Sequence, residues 1–344
     1  MPICSTPGKK TIMTAIPRPC RELILGFAVL IPWSAHANAA EAWALQGRAE
    51  RWTVEGKIRK GDDVSGAAIL SGDAGYLVSD ETRAVQPFRL DAAARILRVG
   101  EPLNLLPGAK PELDLEAIAG APQDSCYYTT GSHSVARKSG AASPDRGWVF
   151  RLPVDSRTRE VQRDTIAKAT LRPFIAADPV LKGALDRPAN EGGLDIEGLA
   201  EKNGTLYFGL RAPTRDGHAF ILEINARDLF SGHAPALRRH ELPLGGGRGV
   251  RDLATVRDGF LLIAGASMSS DDATPAAHGF ALYFWPGPGH PPVKVGDIKT
   301  PPGGKAEGLL VWAESDISIS VLLLFDGADN GAPTQISVRK PRAK

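Results

Sequence analysis

One short pattern recurs five times along this 344-residue chain. Each copy has an acidic or small polar residue, two or three small or apolar residues, a polar turn, an apolar run and a second polar cluster. Successive copies start 51, 81, 55 and 55 residues apart. Such spacing is typical of four-stranded propeller blades, so the repeat predicts an all-β chain that forms a single five-bladed β-propeller. The copies begin at Ser65, Glu116, Glu197, Asp252 and Glu307.

The strand pattern is clearest in the third and fourth copies. Thr205–Leu210 and Ala219–Asn225 are apolar runs separated by turn residues, and Phe260–Ala264 and Phe280–Trp285 repeat that arrangement. Short apolar runs bounded by Gly, Asn, Asp and Pro, with little helical periodicity, predict antiparallel strands. We therefore expect four strands in each blade.

The interval between the second and third copies is much longer than the others. Residues 138–192 are therefore predicted to be an insertion. Within it, the apolar pattern of 161–185 suits a helix that is broken by Pro173 and Pro179. A degenerate sixth blade is the alternative explanation of the same interval.

The last copy offers three strands before the basic tail at Lys340–Lys344. A blade with three strands would leave an open sheet edge, which folded proteins avoid. We expect the segment around Arg51–Ile58 to supply the fourth strand and close the ring.

The N-terminal residues 1–39 are predicted to be a secretory signal peptide. The apolar run Leu23–Trp33 follows four basic residues and precedes small residues with A-x-A spacing. A run of this length is too short to span a bilayer, which needs about 20 apolar residues. The expectation is export by a Sec-type route to the periplasm or medium, without a membrane span, and a propeller domain over residues 40–340.

Charge gives no reason to expect a polyanionic partner. The chain has 41 basic and 39 acidic residues, a formal charge of +2. Nucleic-acid binding depends on clustered positive charge, so it is disfavoured. We expect a monomer whose partner is a small molecule, an anion or another protein.

Propeller topology predicts where polar residues converge. In each blade the first strand lines the central channel and the second returns antiparallel to it, so the start of one and the end of the other reach the same face. First strands bring Glu116, Glu197, Asp252 and Glu307 to that face. The ends of second strands bring Asp80, Glu81, His133, Arg211 and Asp326 to the same face. Arg248 and Arg251, just before Asp252, are expected near the same mouth.

Two hypotheses for this cluster are structural or metal-based. In the first, carboxylates and arginines form a buried network that ties neighbouring blades together. In the second, calcium is the cofactor, because Ca²⁺ prefers oxygen ligands. The predicted calcium ligands are Glu116, Glu197, Asp252 and Glu307.

A third hypothesis makes the cluster a catalytic or ligand-binding mouth. His133 or Glu197 would move a proton, and Arg211 or Arg251 would hold an anion. The predicted ligand-binding residues are Asp80, Glu116, Arg211, Arg251, Asp252, Glu307 and Asp326.

The repeat sequences also resemble a known family. Leu194–Ala200 with Phe208–Pro213, Arg251–Ala254 with Leu261–Gly265, and the Gly131–Ser134 cluster are similar to the bacterial family catalogued as domain of unknown function 3616, over most of residues 60–330. This resemblance implies a propeller-like fold and no particular activity. In one blade, Gly75–Glu81 is similar to phytase-like esterase propellers, which implies phosphoester hydrolysis.

The favoured function is binding of a small polar or anionic ligand, or of a protein, at the mouth. The chain has no G-x-S-x-G, H-E-x-x-H or C-x-x-C motif, so the best-marked serine hydrolases, zinc proteases and redox enzymes are disfavoured. The alternative is a calcium-dependent hydrolase of phosphoesters or lactones that uses the same mouth. Sequence leaves open whether the protein is an enzyme.

Overall fold

The structure is a computed structural model that describes residues 42–106, 112–136, 143–232, 236–267 and 279–342. The predicted signal peptide, residues 1–39, lies outside these ranges. The described residues contain 22 strands and two α-helices. The strands of the N-terminal half are β1 Ala44–Arg51, β2 Thr53–Glu55, β3 Val64–Ser71, β4 Ala74–Ser79, β5 Ala84–Asp91, β6 Ile96–Val99, β7 Leu103–Asn104, β8 Leu115–Ala121, β9 Cys126–Gly131, β10 Val149–Pro153 and β11 Ala167–Ala169. The later strands are β12 Asp195–Lys202, β13 Thr205–Ala212, β14 His218–Asn225, β15 Arg238–Pro243, β16 Arg248–Val256, β17 Gly259–Ala266, β18 Ala281–Trp285, β19 Val293–Asp297, β20 Lys305–Glu314, β21 Ser318–Asp326 and β22 Thr334–Arg339, and the helices are α1 Arg172–Ala177 and α2 Ala226–Ser231.

These strands form five antiparallel blades. From the axis outward, the blades are β3-β4-β5-β6, β8-β9-β10-β11, β12-β13-β14-β15, β16-β17-β18-β19 and β20-β21-β22-β1. The predicted all-β, five-bladed propeller is therefore confirmed. Strand β17 shows why the inner strands read as apolar runs rather than alternating ones: seven of its eight residues are buried, because each blade packs on both faces.

All five innermost strands meet around a common axis. A small cavity of about 80 Å³ is lined by residues of β3, β8, β12, β16 and β20. At the equivalent position of the innermost strand, four blades contribute an alanine to this lining and the fifth contributes a leucine. These residues are Ala68, Ala119, Ala200, Ala254 and Leu310.

Strand β1 closes the ring by pairing with β22, from Ala44 opposite Arg339 to Arg51 opposite Thr334. The exchange of an N-terminal strand into the last blade is as expected, but the segment predicted for it, Arg51–Ile58, is not the one used. An outer strand is largely exposed and so carries no apolar run. The apolar residues Trp52 and Ile58 instead pack in the core between the first and last blades, and β2 pairs in parallel with β6.

The predicted insertion is narrower than residues 138–192. Strands β10 and β11 fall inside that range and complete the second blade. Only α1 is α-helical within 161–185. Pro173 lies in the first turn of α1, where a missing N–H costs nothing, and Pro179 follows its end. The prolines therefore bound a short helix rather than break a long one.

Candidate functional site

Each innermost strand carries a β-bulge at the same place. In β8, for example, Leu115 pairs with Gly131 and Ala117 pairs with Thr130, which leaves Glu116 without an opposite residue. A bulge redirects the extra side chain, and bulges are common beside functional sites. The five bulge residues form a ring around the axis. They are Ser65, Glu116, Glu197, Arg251 and Glu307.

Asp252 does not belong to this ring, although the sequence repeat predicts that it does. The bulge of β16 lies between Val250 and Asp252, so Arg251 occupies the ring position. The Asp252 carboxylate instead accepts hydrogen bonds from the backbone N–H groups of Leu253 and Leu309, both at 2.7 Å. Burial raises its pKa well above the usual range. Asp252 thus ties the fourth blade to the fifth and is not a mouth residue.

The ring opens into a cavity of about 440 Å³ at one end of the propeller, which we call the mouth cavity. Seven of the predicted residues line it: Asp80, Glu81, Glu116, Glu197, Arg211, Glu307 and Asp326. Six polar lining residues were not predicted: Glu112, Asp114, Ser134, Arg146, Asp195 and Lys305.

Two arginines neutralise two of the three ring glutamates. Arg211 donates from Nη1 to Glu197 Oε1 at 2.7 Å and contacts Asp195 Oδ2 at 3.3 Å. Arg251 Nε lies 2.9 Å from Glu197 Oε2, and its Nη2 forms an ion pair with Glu307. This is the structural network of the first hypothesis, and it spans the third, fourth and fifth blades.

Gly249 permits this arrangement. A Cβ at position 249 would lie 2.0 Å from the carbonyl oxygen of Arg211, so only glycine lets the two strands approach this closely. The close approach places Arg211 and Arg251 against the same carboxylate.

Glu116 is the exception in the ring. Among the described residues, none donates a hydrogen bond to its carboxylate or forms an ion pair with it, and its residue exposure is 9%. Burial raises its pKa well above the usual range, and the charges of Asp114, Glu197, Asp195 and Asp80 act in the same direction. Glu116 is therefore a buried carboxylate that faces the mouth cavity without a partner.

The second and third blades each carry a pair of acidic residues two positions apart. This pattern in the sequence could have revealed Asp114 and Asp195, two of the lining residues that were not predicted. Asp114-Leu-Glu116 and Asp195-Ile-Glu197 have the same spacing, which puts both carboxylates of each pair on the mouth side of its strand. Asp114 forms an ion pair with Arg146 at 3.2 Å. Arg146 comes from a turn between β9 and β10, so no strand pattern could have indicated it.

Two further carboxylates stand at the rim. Burial raises the pKa of Asp80 to about 7, and the charges of Asp114, Asp63 and Asp326 add to that effect. The backbone N–H of Glu81 donates to Asp80 at 2.6 Å. Asp326 is paired with Lys305 at 2.7 Å.

His133 is not at the mouth. It follows the end of β9 and has a left-handed backbone, φ 58°, and its side chain is fully buried. Its Nδ1 lies 3.0 Å from the carbonyl oxygen of Gly131, and its Nε2 accepts from the N–H of Leu171 at 3.4 Å. Both ring nitrogens are occupied, so His133 anchors the segment before α1 and cannot serve as the base that the sequence suggested.

We expect His133 to remain neutral in the folded protein down to about pH 5. Burial lowers its pKa to about 4, and the positive charge of Arg172 acts in the same direction. Protonation would therefore favour the unfolded chain as pH falls from about 6.5 toward 4. A long-range ¹H–¹⁵N spectrum should show the Nδ1–H tautomer between pH 5 and 8. An imidazole that titrates near pH 6.5 would contradict this assignment.

Arg248 does not line the cavity either; its Nη2 donates to the carbonyl oxygen of Gly279 at 3.3 Å. The predicted calcium ligands are also not arranged as a set. Asp252 points to backbone amides, and Glu197 and Glu307 are held by arginines. In the described part of the chain, no group of three or more His, Cys, Asp or Glu side chains is placed to hold a metal ion.

Fold and site together define a class: a five-bladed β-propeller with an acidic, arginine-braced mouth on its axis. Residues 153–278 match the model of a family described as protein of unknown function, DUF3616. This match confirms, over that segment, the resemblance inferred from the sequence. No curated protein matches the chain.

Several solved structures are similar at low identity. Streptogramin B lyase is 9% identical, with 85% of this chain and 97% of that one covered and a TM-score of 0.38. The PQQ-bound aldose sugar dehydrogenase of Streptomyces coelicolor is 13% identical, with 87% and 98% covered and a TM-score of 0.41. The calcium structure of a Trichoderma reesei carbohydrate-active enzyme of family AA12 is 11% identical, with 88% and 98% covered and a TM-score of 0.45. At these scores the likenesses carry no argument about what this chain does.

Neither α-helix of the described chain is long or apolar enough to cross a membrane.

Proposed function

We propose that this protein binds a small polar ligand in the mouth cavity, and that it acts as an exported monomer. The single observation that carries the proposal is the Glu116 carboxylate, which is buried at the cavity wall without a hydrogen-bond or ion-pair partner among the described residues. The signal-like residues 1–39 support the export part of the proposal.

A purely structural network would not leave Glu116 in this state. Burying a polar or charged group without a partner costs several kcal/mol, and residues that serve only stability are normally satisfied. Glu197 and Glu307, at equivalent ring positions, are ion-paired with Arg211 and Arg251. A local conflict of this kind is expected where a site is shaped for a ligand.

The size and lining of the cavity also suit a small polar molecule. Its volume of about 440 Å³ lies in the range of roughly 300–1,000 Å³ that is typical of small-molecule sites. Of the described lining residues, only Val135, Ala136 and Ala189 contribute apolar side chains. A ligand that matched this surface would have little apolar area.

The alternative function, a calcium-dependent hydrolase of phosphoesters or lactones, has less support. Its proposed base, His133, is buried with both nitrogens occupied. Its proposed metal ligands Glu197 and Glu307 are paired with arginines, and Asp252 faces backbone amides. No observation of the mouth favours it over binding.

Filling the mouth tests the proposal. Thermal melts of the protein with agmatine, xylitol and citrate cover a cation, a neutral polyol and an anion, and at least one should raise the melting temperature, because a ligand that binds the native state stabilises it. Ala136→Trp, at a half-buried lining position, should abolish that rise. Ala93→Trp, on the exposed turn between β5 and β6, is the matched control and should retain it. Equal responses in the two variants, or no response to any compound, would contradict the proposal.

A further inference from the structure

We infer that the ligand of the mouth cavity is an organic cation whose ammonium or guanidinium group donates hydrogen bonds to Glu116. This inference rests on the proposed function, since it names the chemical class that the same site takes. The sequence pattern favoured a small polar or anionic ligand or a protein, and this inference departs from the anionic option.

The charge of the cavity is the first argument. Among the described residues that line it, nine carry carboxyl groups and three are basic. The basic groups are also engaged: Arg211 with Glu197 and Asp195, Arg146 with Asp114, and Lys305 with Asp326. An anion entering this cavity would meet a surplus of like charge and, among the described lining residues, no unpaired cation, whereas a cation would meet carboxylates that accept from it.

A comparison of the second and third blades gives the second argument. In the third blade, Arg211 comes just after the residue that pairs with Ile196, and it binds both acids of that blade. In the second blade, the corresponding place after Gly131 is occupied by Ser132.

The serine does only part of what the arginine does. The Ser132 hydroxyl donates to Asp114, the counterpart of Asp195. It carries no charge and makes no bond to Glu116, the counterpart of Glu197. Among the described residues, an arginine thus contacts one of the two equivalent glutamates directly and none contacts the other. A ligand cation at Glu116 would complete the second blade as Arg211 completes the third.

The kind of cation follows from the lining. Among the described residues that line the cavity there is no Phe, Tyr or Trp. Quaternary ammonium groups are recognised mainly by aromatic faces, because they have no N–H to donate. Carboxylates, in contrast, pair best with groups that donate, and a guanidinium can donate two parallel bonds. Primary amines and guanidinium compounds are therefore favoured over choline-like ligands.

Isothermal titration of the full chain tests this inference. The probes are agmatine, choline, citrate, xylitol and calcium chloride, and the variants are Glu116→Gln and Glu101→Gln. Glu101 is an exposed carboxylate between β6 and β7, so its replacement removes the same charge away from the mouth cavity. Glu116→Gln replaces an unpaired buried carboxyl group with an amide of the same shape, so we expect the variant to fold, and a thermal melt verifies that.

The expected result is that agmatine binds, at least tenfold more tightly than choline. Glu116→Gln should weaken agmatine binding at least tenfold, and Glu101→Gln should change it less than twofold. Agmatine binding of equal strength in both variants would overturn the inference. So would calcium binding that depends on Glu116 in the absence of agmatine binding.

The outcomes also separate the two proposals. If citrate or xylitol binds wild type, agmatine does not, and Ala136→Trp abolishes the binding, the mouth is a ligand site for another class and only the cation inference fails. If none of the probes binds, both the inference and the proposed function fail.

Discussion

Replacing Arg251 with glutamine is expected to lower the free energy of unfolding by about 3–5 kcal/mol, the usual cost of removing one partner from a buried ion pair. Arg251 is 3% exposed and lies between Glu197 and Glu307. Without the guanidinium, two buried carboxylates would face each other with a neutral amide between them. Urea unfolding of wild type and Arg251→Gln at pH 7 measures the difference.

The matched control is Arg257→Gln. Arg257 lies at the turn after the same strand and pairs with Asp316, but its side chain is 54% exposed. Exposed pairs contribute about 0–1 kcal/mol, so this variant should lose little stability. Adding Glu307→Gln to Arg251→Gln should restore part of the loss, because one of the stranded carboxylates becomes neutral. Equal losses at positions 251 and 257 would contradict the network described for the mouth.

Much of the architecture was predictable from sequence because each blade buries its inner strands on both faces. Runs such as Phe260–Ala264 are therefore apolar throughout and repeat at blade spacing. Ring closure was predictable for a different reason, since a three-stranded last blade would leave an open edge. The closing strand itself, Ala44–Arg51, was not, because an outer strand is mostly exposed and carries little pattern.

The mouth was predictable as a place but not residue by residue. Antiparallel first and second strands bring Glu116 and Arg211 to one end whatever the details of the sheet. Which residue enters the ring depends on the bulge, and a one-residue difference separates Arg251 from Asp252. The acidic residues of the repeat do not mark the bulge in every blade, whereas a leucine stands two positions after it in the last three, at Leu199, Leu253 and Leu309. The left-handed backbone at His133 could not be predicted either, because the alternation of residues along a strand gives no sign of it.

The contacts that decide the chemistry join distant parts of the chain. Arg251 and Glu307 are 56 residues apart, and Ser132 reaches Asp114 across a hairpin. Composition shows that acids and arginines are present, but only the fold decides which pairs form. Glu116 lacks a partner among the described residues because the arginines of the site pair with other carboxylates: Arg211 with Glu197, Arg251 with Glu307 and Arg146 with Asp114.

Asp80→Asn is expected to stabilise the protein at pH 8 by an amount on the order of 4 kcal/mol and to have almost no effect at pH 4. Burial raises the pKa of Asp80 to about 7 in the folded chain, against an ordinary value of 3.8. Asp114, Asp63 and Asp326 face it with like charge, whereas the Glu81 N–H favours its ionised form. At 1.36 kcal/mol per pKa unit, the rise of the Asp80 pKa from 3.8 to about 7 means that ionising Asp80 costs the folded protein stability on the order of 4 kcal/mol.

The sign of the pH dependence follows from proton binding. Between about pH 4 and 7 the folded state holds a proton at Asp80 that the unfolded state has released, so stability falls as pH rises through this window. Asparagine keeps the acceptor oxygen for the Glu81 N–H and has no charge to bury, so the difference between variant and wild type should grow from pH 4 to pH 7 and then level off. Urea unfolding at pH 4, 6 and 8 measures it, with Asp164→Asn, at an exposed turn, as the baseline for losing one carboxylate. A difference that is constant with pH, or largest at pH 4, would show that the mouth does not hold Asp80 in its protonated form.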